Sequence, residues 1–146
     1  YDVTALPNLK KAGNIPYELS GKTNWAWIDP ETMQTPEKKQ AGGQYVSGLD
    51  IKSKTLAQLN KELNELTKAA GRYHIDFIWK NGKGGHIITV DRLENGSIRI
   101  YDPQIGRLSD WKVISQKISL KYGVNVLRVD NLLVNTDIID GIVRKL

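Results

Sequence analysis

The chain has 146 residues and a mass of 16.4 kDa, enough for one domain with its own core and too short for two comfortable ones. Hydrophobic residues make up 40% and charged ones 25%, which excludes disorder or a fibrous repeat over most of the length, and no apolar run reaches the roughly 18 residues of a membrane span. The net charge of +5 divides as +1 over residues 1–54 and +4 over 55–146, a weak attraction to anionic partners that does not by itself mark a nucleic-acid binder.

Cysteine is absent, which removes disulfides, thiolate metal sites and a cysteine nucleophile from these residues. Imidazole chemistry is confined to His74 and His86, so no metal and no cofactor is expected. The first residue is Tyr1 and no leader pattern precedes a cleavage site, so the expectation is a piece of a longer protein.

In chain order, Tyr1-Asp2-Val3-Thr4-Ala5 reads as the end of a short strand. Residues 7–54 hold Pro7, Pro16, Pro30, Pro36 and the pair Gly42-Gly43 with poor aliphatic periodicity, and read as a long irregular segment anchored by Tyr17, Trp25, Trp27 and Tyr45. Thr55 and Gln58 have capping-box spacing, and Leu56, Leu59, Leu63, Leu66 and Ala70 then recur at helical intervals, with Gly71 as the terminating residue. From Arg72 to Trp79 the pattern alternates, with Tyr73, Ile75, Phe77 and Trp79 on a buried face and Arg72, His74 and Asp76 on a wetter one. That placement assigns His74 to solvation and not to catalysis.

After the turn Lys80-Asn81-Gly82-Lys83-Gly84, strands over Gly85 to Leu93 and Ser97 to Asp102 form a hairpin through Glu94-Asn95-Gly96. A second helix is predicted from Ser109 to Tyr122, a strand from Val124 to Val129, and a last amphipathic helix capped by Thr136. Helices mixed with hairpin-linked strands in this order indicate an α+β fold.

The stretch with chemical content is Gly84-Gly85-His86, leading an apolar strand, followed by Tyr101-Asp102-Pro103-Gln104. A histidine beside a carboxylate that orients it is the pairing that general-base chemistry needs. Two hairpin registers are open. A two-residue Asn95-Gly96 turn pairs residues whose numbers sum to about 191 and sets His86 and Asp102 on opposite faces. A three-residue Glu94-Asn95-Gly96 loop, with Gly96 in the left-handed region, shifts that sum to about 190 and makes them diagonal neighbours on one face. Gln104 follows as a supporting residue or as a turn residue after Pro103.

Together with Ile105-Gly106, the preceding leucine-rich helix and Leu127-Arg128-Val129-Asp130-Asn131-Leu132, this stretch resembles the papain-fold toxin family, the glutamine-deamidase-like domains of bacterial polymorphic toxins and some phage head-associated proteins. The resemblance covers about residues 55 to 135 and leaves the long segment before them unmatched. It implies a papain-like fold over 1–146, an antiparallel sheet with helices packed on it, and a Cys-His-Asp triad with His86 as general base and Asp102 as its orienting partner. The cysteine would lie on a helix just ahead of Tyr1; Ser20, Ser47 and Ser53 have no context that nominates them in its place. A deamidase or protease acting on a protein substrate follows, with an immunity protein as partner, delivery into a target cell, and no membrane or nucleic acid involved. Two rivals stand beside it: a non-catalytic binding or structural module, and, more weakly, a basic nuclease using His86 with Lys80, Lys83, Arg92, Arg99 and Arg107 on phosphate.

Overall fold

Thr55 opens the first helix by the chemistry its spacing implies. In a computed structural model that describes residues 23–48, 50–102 and 106–137, its hydroxyl accepts from the Gln58 N–H at 3.2 Å and the Gln58 side chain accepts from the Thr55 N–H at 2.8 Å. This helix, α1 (Leu56–Leu66), buries Leu59 and Leu63. It ends four residues earlier than the sequence suggests. Thr67 is the C-cap, its N–H reaching Leu63 O, and its hydroxyl also bonds that carbonyl. Gly71 instead opens a strand.

Ahead of α1, residues expected to be irregular hold a 3-10 turn (Thr23–Ala26) and four short strands: β1 (Trp27–Ile28), β2 (Lys39–Ala41), β3 (Gln44–Ser47) and β4 (Asp50–Ser53). After it come β5 (Gly71–Ile78), β6 (Gly85–Arg92), β7 (Ile98–Asp102), β8 (Arg107–Ser109), the short helix α2 (Trp111–Ser115), β9 (Val124–Arg128) and β10 (Leu133–Val134). The main sheet has six strands in the order β2-β9-β5-β6-β7-β8, every neighbouring pair antiparallel. β1 with β10 and β3 with β4 make two small ribbons beside it. The chain is α+β, as its element order indicates.

Period-two alternation sorts the sheet's side chains onto two faces. Tyr73, Ile75 and Phe77 from β5, Ile88 and Val90 from β6, Ile100 from β7 and Val124 and Val126 from β9 pack with Leu59 and Leu63 of α1 in one core cluster, joined by Ile114 and Ile118. His74 departs from its expected place. It is buried, not solvated, because residues far away in sequence cover the second face: the Trp27 ring lies 5.9 Å from the imidazole, edge-on, and Val129 beside it is buried.

The helix predicted over 109–122 shrinks to α2, capped by Asp110, whose carboxylate accepts from the Lys112 N–H. The following residues bond to the sheet. Trp79 and Ile118 form an antiparallel bridge, Lys80 N–H donates to Lys117 O at 2.7 Å, and Ser119 N–H donates to Ile78 O at 2.9 Å. Those backbone groups are therefore spent on residues 78–80, at and just past the end of β5, and are not available to continue a helix. The expected N-terminal strand over 1–5 lies outside the described residues, and so does most of the C-terminal helix, of which Thr136 and Asp137 have helical backbone.

Glu62 ties α1 to the end of β2. Its carboxylate accepts from Lys54 Nζ at 2.6 Å and from the Gly42 N–H at 2.5 Å. The Lys54 hydrogen bond, with that of Gly42, holds its pKa below the ordinary 4.5. A carboxyl depressed in the folded state contributes stability above the unfolded-state value and loses it as pH falls through the lower folded value. Glu62→Gln should therefore be less stable than the parent at neutral pH, and the gap should close as pH drops below about 4.5. Urea unfolding of both proteins at pH 7 and at about pH 3 checks this, and an unchanged gap would refute it.

Candidate active site

The position of the site follows from the hairpin between β6 and β7. Arg92 pairs with Ile98, Asp91 with Arg99, Val90 with Ile100 and Thr89 with Tyr101, the register of the three-residue loop. Leu93 N–H donates to Ser97 O across the loop mouth, Gly96 N–H donates to Leu93 O, and Gly96 has φ of 87°, the left-handed backbone that this loop demands. Asn95 closes the loop by accepting from the Ser97 N–H at 3.0 Å. The two-residue alternative is therefore excluded.

With that register, His86 and Asp102 share the face that α1 covers. His86 is the direct antiparallel partner of Phe77, and Asp102 follows Ile100 by one alternation. The imidazole Nε2 lies 2.5 Å from Asp102 Oδ2, a hydrogen bond across adjacent strands. Each side chain is only 9% exposed. Because Nε2 faces the carboxylate, the neutral imidazole carries its proton there and presents Nδ1 as the basic nitrogen. That nitrogen makes no hydrogen bond among the described residues.

Aromatic rings build the walls. The Trp79 ring lies 4.8 Å from the imidazole, tilted by 34°, and Phe77 is 5.7 Å away. Phe77 and Trp79 meet edge to face at 5.1 Å. Trp79 is held from both sides, by its N–H to Gly84 O and by the bridge to Ile118. These rings restrict how far the imidazole can turn and keep water from much of the His86–Asp102 bond. The sequence placed Phe77 and Trp79 on one face of β5, but it had no signal for the bridge that brings Ile118 against Trp79.

Gln104, the supporting candidate, lies outside the described residues, as does Ser20. The cations of the nuclease reading are divided. Arg92 is committed to the carbonyls of Thr67 and Gly96 and to the side chains of Asn64 and Thr67. Arg99, two residues from Tyr101 and directly opposite Asp91, belongs to the sheet face away from His86. Among the described residues no group of three or more His, Cys, Asp or Glu side chains is arranged to hold a metal ion, and no helix is long and apolar enough to cross a membrane.

Fold and site together define an α+β domain whose antiparallel sheet carries a histidine–aspartate pair enclosed by aromatic rings. Comparison with known protein families, curated proteins and solved structures finds no match to this chain.

Proposed function

We propose that this chain carries the histidine and aspartate of a papain-like, cysteine-type hydrolase that acts on protein glutamine side chains as a deamidase, or on peptide bonds. The observation that supports this reading is the His86–Asp102 hydrogen bond through Nε2, which leaves Nδ1 as the proton acceptor. The chain has no cysteine, so the thiol comes from residues outside these 146. His86 removes the thiol proton, and the thiolate attacks the carboxamide carbon of glutamine. The C–N bond breaks as the imidazolium returns that proton to the departing ammonia. Water, deprotonated by His86, then cleaves the thioester and leaves glutamate with the thiol restored. Asp102 keeps the imidazole in one tautomer and stabilises its cationic form through the cycle.

Ammonia release from a protein glutamine substrate is the direct test. The 146-residue chain should release none. The same chain preceded by its cysteine-bearing helix should release ammonia, and His86→Ala should abolish it. Release by the cysteine-free chain, or by the His86→Ala protein, would overturn the assignment.

One observation favours the rival of a non-catalytic module: at 9% exposure, both side chains are covered well enough to serve as a polar tie between strands. Under that reading, no cysteine-bearing form of the protein turns over. The toxin and effector role, with a protein target in a recipient cell and an immunity partner, is part of the same proposal and rests on the sequence resemblance alone.

A further inference from the structure

Backbone pairing assembles one strongly cationic end of the sheet from two segments distant in sequence. Residues 79–86 contain Lys80 and Lys83, and residues 117–123 contain Lys117 and Lys121. Neither segment contains an aspartate or a glutamate. They are joined by the Trp79–Ile118 bridge and by the bonds from Lys80 N–H to Lys117 O and from Ser119 N–H to Ile78 O. All four lysines are exposed, and none forms an ion pair among the described residues. Four exposed lysines are thereby gathered at one end of the sheet, in a chain whose net charge is +5.

This end is also where the histidine sits. Lys80 follows Trp79, whose ring covers the imidazole, Lys117 precedes the bridging Ile118, and Lys83 lies in the turn that leads into His86. We propose that this surface docks an acidic polypeptide segment.

The chemistry of the patch selects that partner over a nucleic acid. Every cation in the two segments is lysine, a flexible point charge suited to scattered carboxylates, and none is the arginine whose planar fork grips phosphate in two places. Single strands also need open aromatic faces for stacking. Here Trp79 is engaged with His86 and Phe77, and Lys121 lies over the ring of Tyr122. Exposed ion pairs are individually weak and screened by salt, so docking depends on several lysines acting together and weakens as ionic strength rises. If the hydrolase reading holds, this surface directs it to glutamines in acidic sequence. Docking itself is read without turnover, so the two stand or fall separately.

Fluorescence anisotropy with a labelled poly-L-glutamate peptide tests it. The chain should bind at about 10 mM salt and release the peptide as salt rises to about 150 mM, where the screening length shrinks from about 30 Å to about 8 Å. The triple variant K80E/K83E/K117E should bind about tenfold more weakly or worse, and K80Q/K83Q/K117Q should fall between it and the parent. K39E/K52E/K61E, with the same change in net charge placed elsewhere, should lose clearly less affinity than K80E/K83E/K117E. Thermal unfolding of each variant confirms that it is folded, and the glutamine set decides the matter if the charge reversals do not fold. Equal loss in both glutamate triples, no binding at low salt, or tighter binding of an oligothymidylate of matched charge would overturn the proposal.

Discussion

Gly123→Ala is expected to cost about 2–5 kcal/mol of folding stability, the largest effect of any single methyl group added at a described glycine. Gly123 has φ of 68°, a conformation that costs an L-residue roughly 1–2 kcal/mol. An added Cβ would also stand 2.3 Å from Ala41 O, 2.6 Å from Gly43 N and 2.8 Å from Gly42 C. All three are backbone atoms, so no side chain can swing aside. Relief requires moving β2 away from β9, where Ala41 pairs with Val124 and both are fully buried. Forced overpacking of that kind adds about 1–3 kcal/mol, a large share of the roughly 5–15 kcal/mol of a typical domain. Gly96→Ala is the control. It has φ of 87° with nothing within 4 Å of the added atom, so it carries the conformational cost alone. Thermal or urea unfolding of the two variants measures the difference, and equal losses would show that β2 yields without cost.

Substitution of Asp102 should separate catalysis from architecture. In Asp102→Ala the Nε2–H of His86 loses its acceptor in a site walled by Trp79 and Phe77, and leaving such a donor unsatisfied costs about 1–3 kcal/mol. Asp102→Asn offers a carbonyl of the same shape, so its stability should stay close to that of the parent. Its activity should not. In the cysteine-bearing protein its rate should fall, by less than the roughly 10⁴-fold of the same change in a serine triad, because the Asn carbonyl still orients the imidazole and only the charge is lost; Asp102→Ala should fall further. A stability cycle with His86→Ala should show coupling of about 0.5–3 kcal/mol between the two positions. A folded Asp102→Ala protein retaining full ammonia release would remove Asp102 from the chemistry and leave it a structural tie.

The α1 capping box of Thr55 and Gln58 and the alternation of β5 and β6 were legible in the sequence, because each rule acts between residues a few positions apart. The placing of His86 with Asp102 was legible up to one choice, since the short loop between their strands leaves two registers and the side-chain period of two makes the choice decisive. The turn geometry at Gly96 made that choice.

Other features depended on partners that no local pattern names. β2 finds β9 across more than eighty residues and becomes an edge of the main sheet, although its three residues show little periodicity of their own. His74 reads as solvated from its neighbours Arg72 and Asp76, yet Trp27 covers it from a segment of weak pattern. Residues 109–122 have helical spacing, but the Lys117 carbonyl and the Ser119 N–H bond to Lys80 and Ile78 at the end of β5, and satisfying those backbone groups outweighs a helical propensity worth only tenths of a kcal/mol per residue. The same bridge sets Trp79 beside His86 and brings Lys117 next to Lys80. Residue identities and short spacings thus determined which groups could act and on which face each would lie. Long-range backbone pairing, whose free energy depends on segments remote in sequence, decided what encloses them.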